Sequence, residues 1–214
     1  MTVHPLPADF ATLPFIMPGG QAGDSRHSQP VACHSTGSEI YAQGEKAGCL
    51  YQVEFGAVRV YRLLSDGRRQ ISAFHLASEV FGFEADGTHH FFAEAIGATG
   101  IRTLRLQAAA DLSHALLPLA LQSLVRAQEH LLVLGRQQAA ERVAAFLLDM
   151  AERQGGLERF DLPMSRIDIA DYLGLTIETV SRVFSKLREK GIIRLHGLRG
   201  VEIARWQTLR DMSE

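Results

Sequence analysis

From residue 31 to about 106 the apolar residues fall in short runs rich in Val, Tyr and Phe, cut by glycines. In "YQVEFGAVRVYRLLSDGRRQISAFHL" the breaks are Gly56 and Asp66-Gly67, and an Asp-Gly pair between two such runs predicts a β-hairpin. Further glycines at 44, 48, 82, 87, 97 and 100 space the runs as in a small barrel or sandwich. Near residue 108 the period changes. "LPLALQSLVRAQEHLLVLG" sets Leu121, Leu124, Leu131 and Leu134 at three- and four-residue steps, with Gln128 interrupting. That spacing predicts a helix of about 19 residues, roughly 28 Å long. Pro118 is expected in its first turn, where a missing N–H does no harm. Gly135 is expected to end or bend it. Following a β domain, the stripe predicts a parallel homodimer seam through Leu121, Leu124, Gln128 and Leu131.

A second helix, Gln138 to Arg153, carries Val143, Phe146, Leu147 and Met150 on one face, and "RQGG" stops it. Two short helices and a hairpin, "GIIRLHGLRGVEIA", follow. Residues 1–30 hold five of the seven prolines with little periodicity and read as a flexible arm. The expected organisation is α+β, with segments 1–30, 31–107, 108–136 and 137–214.

Residues 166–184 fit a helix-turn-helix. Ala170 is small where two helices cross, Gly174 supplies the turn, and Ile169, Leu173, Leu175, Val180 and Val183 are apolar where the pair would pack. Ser165 and Thr176 suit the two N-caps. Glu178, Ser181 and Arg182 then share the opposite face near the second helix's start. In a major groove, Arg182 donates two bonds to guanine, Glu178 accepts from cytosine N4, and Ser181 serves either strand. The same Glu/Arg spacing is also a common helix stabiliser worth only about 0.3–0.5 kcal/mol. The helix-turn-helix setting favours base readout. Ser165, Thr176, Thr179, Lys186 and Arg199, with Arg188 and Lys190, are candidates for phosphate contacts.

Charge sharpens this picture. The formal net charge is −2, yet residues 176–210 carry eight basic side chains against Glu178, Glu189 and Glu202. A basic patch on a mildly acidic chain suits a polyanionic partner. Hydrophobic residues make up 46% and no apolar run is long enough for a membrane span, so no membrane partner is expected. The amino terminus lacks a basic stretch followed by an apolar one. With only Cys33 and Cys49, this points to a reducing cytoplasm.

At these residues the chain resembles the cyclic-AMP receptor/FNR family of bacterial transcription regulators over about residues 31–210. "MSRIDIADYLGLTIETVSRVFSKL" is similar to the family's DNA-binding motif, with the E-x-x-S-R of the FNR branch at Glu178, Ser181 and Arg182. "EIYAQGEKAGCLYQVEFGAVRVYRLLSDGRRQISAFHL" looks like its effector-domain strands, and "GRQQAAERVAAFLLDMAERQGG" is similar to FixK-type regulators. The resemblance implies a β-roll, a dimerisation helix and a winged helix-turn-helix. It also implies a two-fold TTGAT-N4-ATCAA-like DNA site, RNA polymerase as partner, and activation of genes for microaerobic respiration or nitrogen fixation.

No cofactor is expected. Cyclic-nucleotide binders of the family use an Arg-Ser pair, whereas here no Lys or Arg occurs between Arg69 and Arg102, and Glu79, Glu84, Asp86 and Glu94 add negative charge. Two cysteines cannot supply four thiolates to an iron–sulfur cluster in one chain, though a disulfide between them is conceivable. A metal-dependent cupin-like enzyme would need His-x-His, but His89 and His90 are adjacent and on a strand would point apart, an objection that a loop would relax. His34 and His75 have no partner at ligand spacing. A third reading places a small effector among Phe81, Phe83, Phe91 and Phe92.

Overall fold

The computed structural model describes residues 30–105 and 109–213. The expected flexible arm, up to residue 29, lies outside them. Eight strands come first: β1 (Val31–His34), β2 (Glu39–Tyr41), β3 (Cys49–Phe55), β4 (Ala57–Leu63), β5 (Arg69–Leu76), β6 (Val80–Phe81), β7 (Phe92–Ala95) and β8 (Thr99–Arg105). They form two antiparallel sheets in the orders β1-β8-β3-β6 and β2-β7-β4-β5. Val53, Ile101 and Phe81 from the first sheet meet Tyr41, Val58, Val60 and Ala93 from the second in a dry core. Gly56, at φ 83°, makes the sharp step between β3 and β4; an added Cβ would lie 2.5 Å from the Ala98 carbonyl oxygen. The Asp66-Gly67 turn closes β4 onto β5, with Asp66 Oδ1 accepting from the Arg68 N–H at 3.0 Å.

Helix α1 spans Ala109–Leu134, about 39 Å at 1.5 Å per residue. It therefore starts well before Pro118, which sits inside the helix and not in its first turn. The preceding "AADLSHALL" holds three alanines and three leucines, good helix formers ahead of the proline. Leu117, Leu121, Leu124 and Leu131 stay 51–66% exposed. With exposed Gln128 they recur at four and three residues, a heptad seam on a helix that turns His130 and Val133 inward. Leu134 leaves that seam and lies beside Gly174.

Helix α2 (Ala139–Arg153) buries Val143, Phe146, Leu147 and Met150, and Gly155 and Gly156 follow its end with positive φ. Strand β9 (Arg159–Asp161), α3 (Arg166–Leu173), α4 (Ile177–Glu189), β10 (Ile193–His196), β11 (Gly200–Ile203) and α5 (Trp206–Asp211) complete the chain. The hairpin β10–β11 gains β9 as a third strand. β9 and α5 are short, with no clear period in the sequence, and both were absent from the expected pattern. Ala57, Ile71, Phe74, Leu76 and Ile96 of the β domain belong to the same apolar cluster as α2, α3 and α4.

Two histidines are sealed into this junction. His75, on β5, is pushed down to about 4 by burial, which Glu79 opposes and Arg153 and Arg126 reinforce. His130, stacked on Tyr172 with ring centroids 3.8 Å apart, is pushed down to about 4 by burial alone. The unfolded chain takes up protons near pH 6.5 that the folded chain refuses until about pH 4. Their contribution is therefore complete above about 6.5 and lost as pH falls through that window, by up to about 1.4 kcal/mol per histidine and pH unit. Thermal midpoints followed by circular dichroism should drop steadily from pH 7 to pH 5; a flat profile would contradict the burial of these rings.

Candidate nucleic-acid interface

Helix α3 starts at Ser165, whose Oγ accepts from the Asp168 N–H at 3.1 Å while Asp168 Oδ2 accepts back from the Ser165 N–H at 3.0 Å. This reciprocal box satisfies two amide groups that a helix start leaves open. Gly174, at φ 62°, takes the left-handed conformation that ends α3 and turns the chain. Thr176 then caps α4, its Oγ1 accepting from the Thr179 N–H at 3.2 Å. Val180, Phe184 and Leu187 recur at four and three residues and anchor α4 on the core. Glu178, Ser181, Arg182 and Lys186 fall on the opposite, exposed face.

The reading face is preset in part. Arg182 Nε donates to the Glu178 carbonyl oxygen at 3.3 Å and Nη2 to Thr179 Oγ1 at 3.4 Å. The guanidinium is thus folded onto the helix start. The Glu178 carboxyl is held below its usual range by the residue's own backbone N–H, then by the Thr176 hydroxyl. Glu178 is an acceptor at neutral pH, as a cytosine amino group requires.

Two clefts sort the remaining candidates, one along α4 and one between the start of α3 and the β domain. One, of about 310 Å³, brings Thr179, Arg182 and Lys186 together with Lys190 and Gln138, the N-cap of α2. The other, of about 480 Å³, gathers Ser165 and Arg199 with Arg166 and Leu198. Arg166 was not among the expected contacts. Its guanidinium lies 3.2 Å from the Phe184 ring centre, and burial lowers it to about 10. The only cue in the sequence was its place next to the Ser165 cap. Arg142 was missed as well. It donates to the Arg136 carbonyl from Nε and Nη2 and to the Leu173 carbonyl from Nη1, tying the α1–α2 connection to the end of α3.

The β domain is where expectation and structure differ most. His89 is buried and stacked 3.7 Å from Tyr41, with Nδ1 3.3 Å from Glu84, while exposed His90 faces Asp86. Among the described residues no group of three His, Cys, Asp or Glu side chains is placed to hold a metal ion. Phe81, Phe83 and Phe91 do line one cavity of about 220 Å³. Phe92 does not, because its neighbour on the strand takes the inner face; it stacks on Tyr61 at 5.3 Å. Cys33 is paired with Gly100 and Cys49 with Arg105, on either side of β8. Five residues along a strand span about 17 Å, far beyond what a disulfide bridges, so the intrachain disulfide is excluded.

A β sandwich feeding a long helix with an unpaired heptad seam, then a winged helix-turn-helix with an exposed polar reading face, defines a DNA-binding transcription regulator. Residues 141–212 match the Crp-like helix-turn-helix domain and residues 34–112 the cyclic nucleotide-binding domain. The chain is 56% identical to the nitrogen fixation regulation protein FixK of Rhizobium meliloti (strain 1021), over 85% of this chain and 86% of the relative. It is 41% identical to the protein of the same name from Azorhizobium caulinodans, over 98% of this chain and 91% of that one. The solved structure of FixK2 from Bradyrhizobium japonicum superposes with a TM-score of 0.82 at 42% identity, over 87% of this chain and 98% of that one. The chain belongs to the CRP/FNR family of transcription regulators, in its FixK group.

That family implies a cyclic nucleotide in the β domain, and the residues present do not fit one. The cavity is smaller than the roughly 300–1,000 Å³ typical of ligand sites. Two cations do reach it from outside the interval between Arg69 and Arg102, namely Arg126 from α1 and Arg153 from α2. Both already pair with Glu79, at 2.9 and 2.7 Å. Glu84 on the same wall would repel a phosphate.

Proposed function

We propose that this regulator acts as a homodimer on a two-fold TTGAT-N4-ATCAA-like site and activates genes for microaerobic respiration or nitrogen fixation through RNA polymerase. The observation that carries the site is the exposed Glu178, Ser181 and Arg182 face on a capped helix. In this reading Arg182 contacts guanine, Glu178 the cytosine amino group, and Ser181 either strand. Ser165 and Arg199 in one cleft, Thr179 and Lys186 in the other, and Thr176 at the cap of α4 hold phosphates. Two such helices read half-sites about one DNA turn, roughly 34 Å, apart. The seam of Leu121, Leu124, Gln128 and Leu131 brings the two chains together. The names of the relatives support the class of genes. No cyclic nucleotide or iron–sulfur cluster takes part.

The test is fluorescence anisotropy of the purified chain in air, with the two-fold duplex and a scrambled control at one salt concentration. Selective binding without an added effector is expected. Arg182→Ala should lose about 1–3 kcal/mol on the target while scrambled DNA changes little. Lys186→Ala should weaken both duplexes and flatten the salt dependence. Equal losses on both duplexes for both variants would defeat the base-reading assignment.

A further inference from the structure

Helix α3 is gripped from outside its own domain. Asp168, 4% exposed at the side chain, accepts at Oδ1 from Arg59 Nη1 at 3.1 Å and from Arg69 Nη2 at 2.6 Å. Its Oδ2 accepts from the N–H and hydroxyl of Ser165 at 3.0 and 2.8 Å. One turn on, Asp171 Oδ2 accepts from Arg69 Nε and Nη2 at 3.0 and 2.8 Å, and its carbonyl accepts from Gln70 Nε2 at 2.7 Å. Arg59 is itself anchored by Glu94 of β7. Both cations belong to the β domain, on β4 and β5, and both carboxylates belong to the reading head.

We infer that Arg59 and Arg69 are positioning residues for DNA reading: they fix the angle of the helix-turn-helix on the β domain, doing by an internal ion clamp what a bound effector would otherwise do. This rests on the DNA-reading role proposed above. A second ion pair, Arg153 with Glu79, crosses the junction to α2, and the contacts to α3 other than those of Arg59, Arg69 and Gln70 are aromatic. Phe74 lies 5.0 Å from Tyr172 and 6.4 Å from Phe146, and His130 stacks on Tyr172. Apolar contact is non-directional, so this cluster makes a pivot. A guanidinium fork has direction, since Arg69 sends Nε and Nη2 together to Asp171 Oδ2, and buried ion pairs supply geometry more than stability. Because α3 and α4 share a packed core through Ile169, Val180 and Phe184, an angle imposed on α3 is carried to α4. The clamp leaves Glu178, Ser181 and Arg182 exposed, so it orients the head without covering it.

The experiment uses the full chain with Arg59→Gln and Arg69→Gln together, on duplexes whose half-sites are separated by N4, N5 or N6. The native chain should prefer N4. The double variant should bind N4 at least about tenfold more weakly, as expected if the two heads hold their competent angle together one-tenth of the time or less. Its preference among spacers should flatten. A loss of charge near DNA alone would lower all three affinities equally, so an unchanged spacer preference overturns the clamp, as does tighter binding to N4. The Arg59→Lys/Arg69→Lys chain keeps the charge without the fork and should still show the flattened preference. If the double variant fails to fold, Arg69→Gln alone is measured the same way. Should the native chain show no spacer preference, the DNA-reading role fails and the clamp is judged by distance. Spin labels at Leu63→Cys and Glu189→Cys, with Cys33 and Cys49 changed to Ser, should give a narrow distribution that the double variant broadens; equal widths overturn it.

Discussion

Replacing Arg153 by alanine should lower the thermal midpoint by roughly ten degrees. Arg153 stands in the last turn of α2 with its side chain 9% exposed. Its Nε and Nη2 donate to the two oxygens of Glu79 at 3.0 and 2.7 Å, and Nη2 also donates to the Phe74 carbonyl at 2.6 Å. Burial by itself would raise Glu79; Arg153, and after it Arg126, hold it below the ordinary carboxylate range. Truncation leaves a buried carboxylate with Arg126 as its remaining guanidinium partner and removes a donor from the Phe74 carbonyl. Breaking one side of a buried pair costs about 3–5 kcal/mol. At about 2–4 °C per kcal/mol for a chain of this size, the shift is clear in a calorimetric scan. Changing Arg153→Met together with Glu79→Gln removes both charges and should cost less than the single alanine. A single variant that melts like the native chain would show the pair to be dispensable.

The second large effect concerns assembly. Leu121→Asp with Leu124→Asp should yield a monomer by light scattering and weaken binding to the two-fold duplex by at least about a hundredfold. Both leucines are more than half exposed, in a heptad row with Leu117, Gln128 and Leu131. Burying a leucine contributes about 1.5–3 kcal/mol, and a two-chain seam buries the row twice. Aspartates there would face each other across the seam. A monomer keeps its own half-site contacts but loses the advantage of linked sites, typically 10²–10⁴. Thermal stability should fall little, because these residues are already exposed in the single chain. If the variant remains dimeric, the seam lies elsewhere.

The helix-turn-helix was legible because its signals are local. Caps at Ser165 and Thr176, a left-handed glycine at 174 and a 4-3 apolar step each act within one turn. The heptad row of α1 was legible for the same reason, although its beginning was not, since Pro118 resembled a helix start more than the alanines before it did. What escaped was long-range. Arg59 and Arg69 meet Asp168 across about a hundred residues, and nothing near Arg69 announces that partner. The same holds for Arg126 and Arg153, which enter the β domain's cavity from helices that sequence reasoning assigned to other duties. His89 and His90 looked alike as neighbours and ended in opposite surroundings, one under Tyr41 and one in solvent.

The apolar cluster that runs without interruption from Ile71, Phe74 and Leu76 into Val143, Phe146, Ile169 and Phe184 has a consequence for how such a protein fails. A single buried apolar cluster joins the β domain to the half that reads. Loss of order on either side exposes the other's interior, so the chain has one folding equilibrium and not two. A lesion deep in the β sheets therefore reduces the number of working regulators without touching any base or phosphate contact. The supply of competent DNA readers in the cell then tracks the integrity of a domain that never meets DNA.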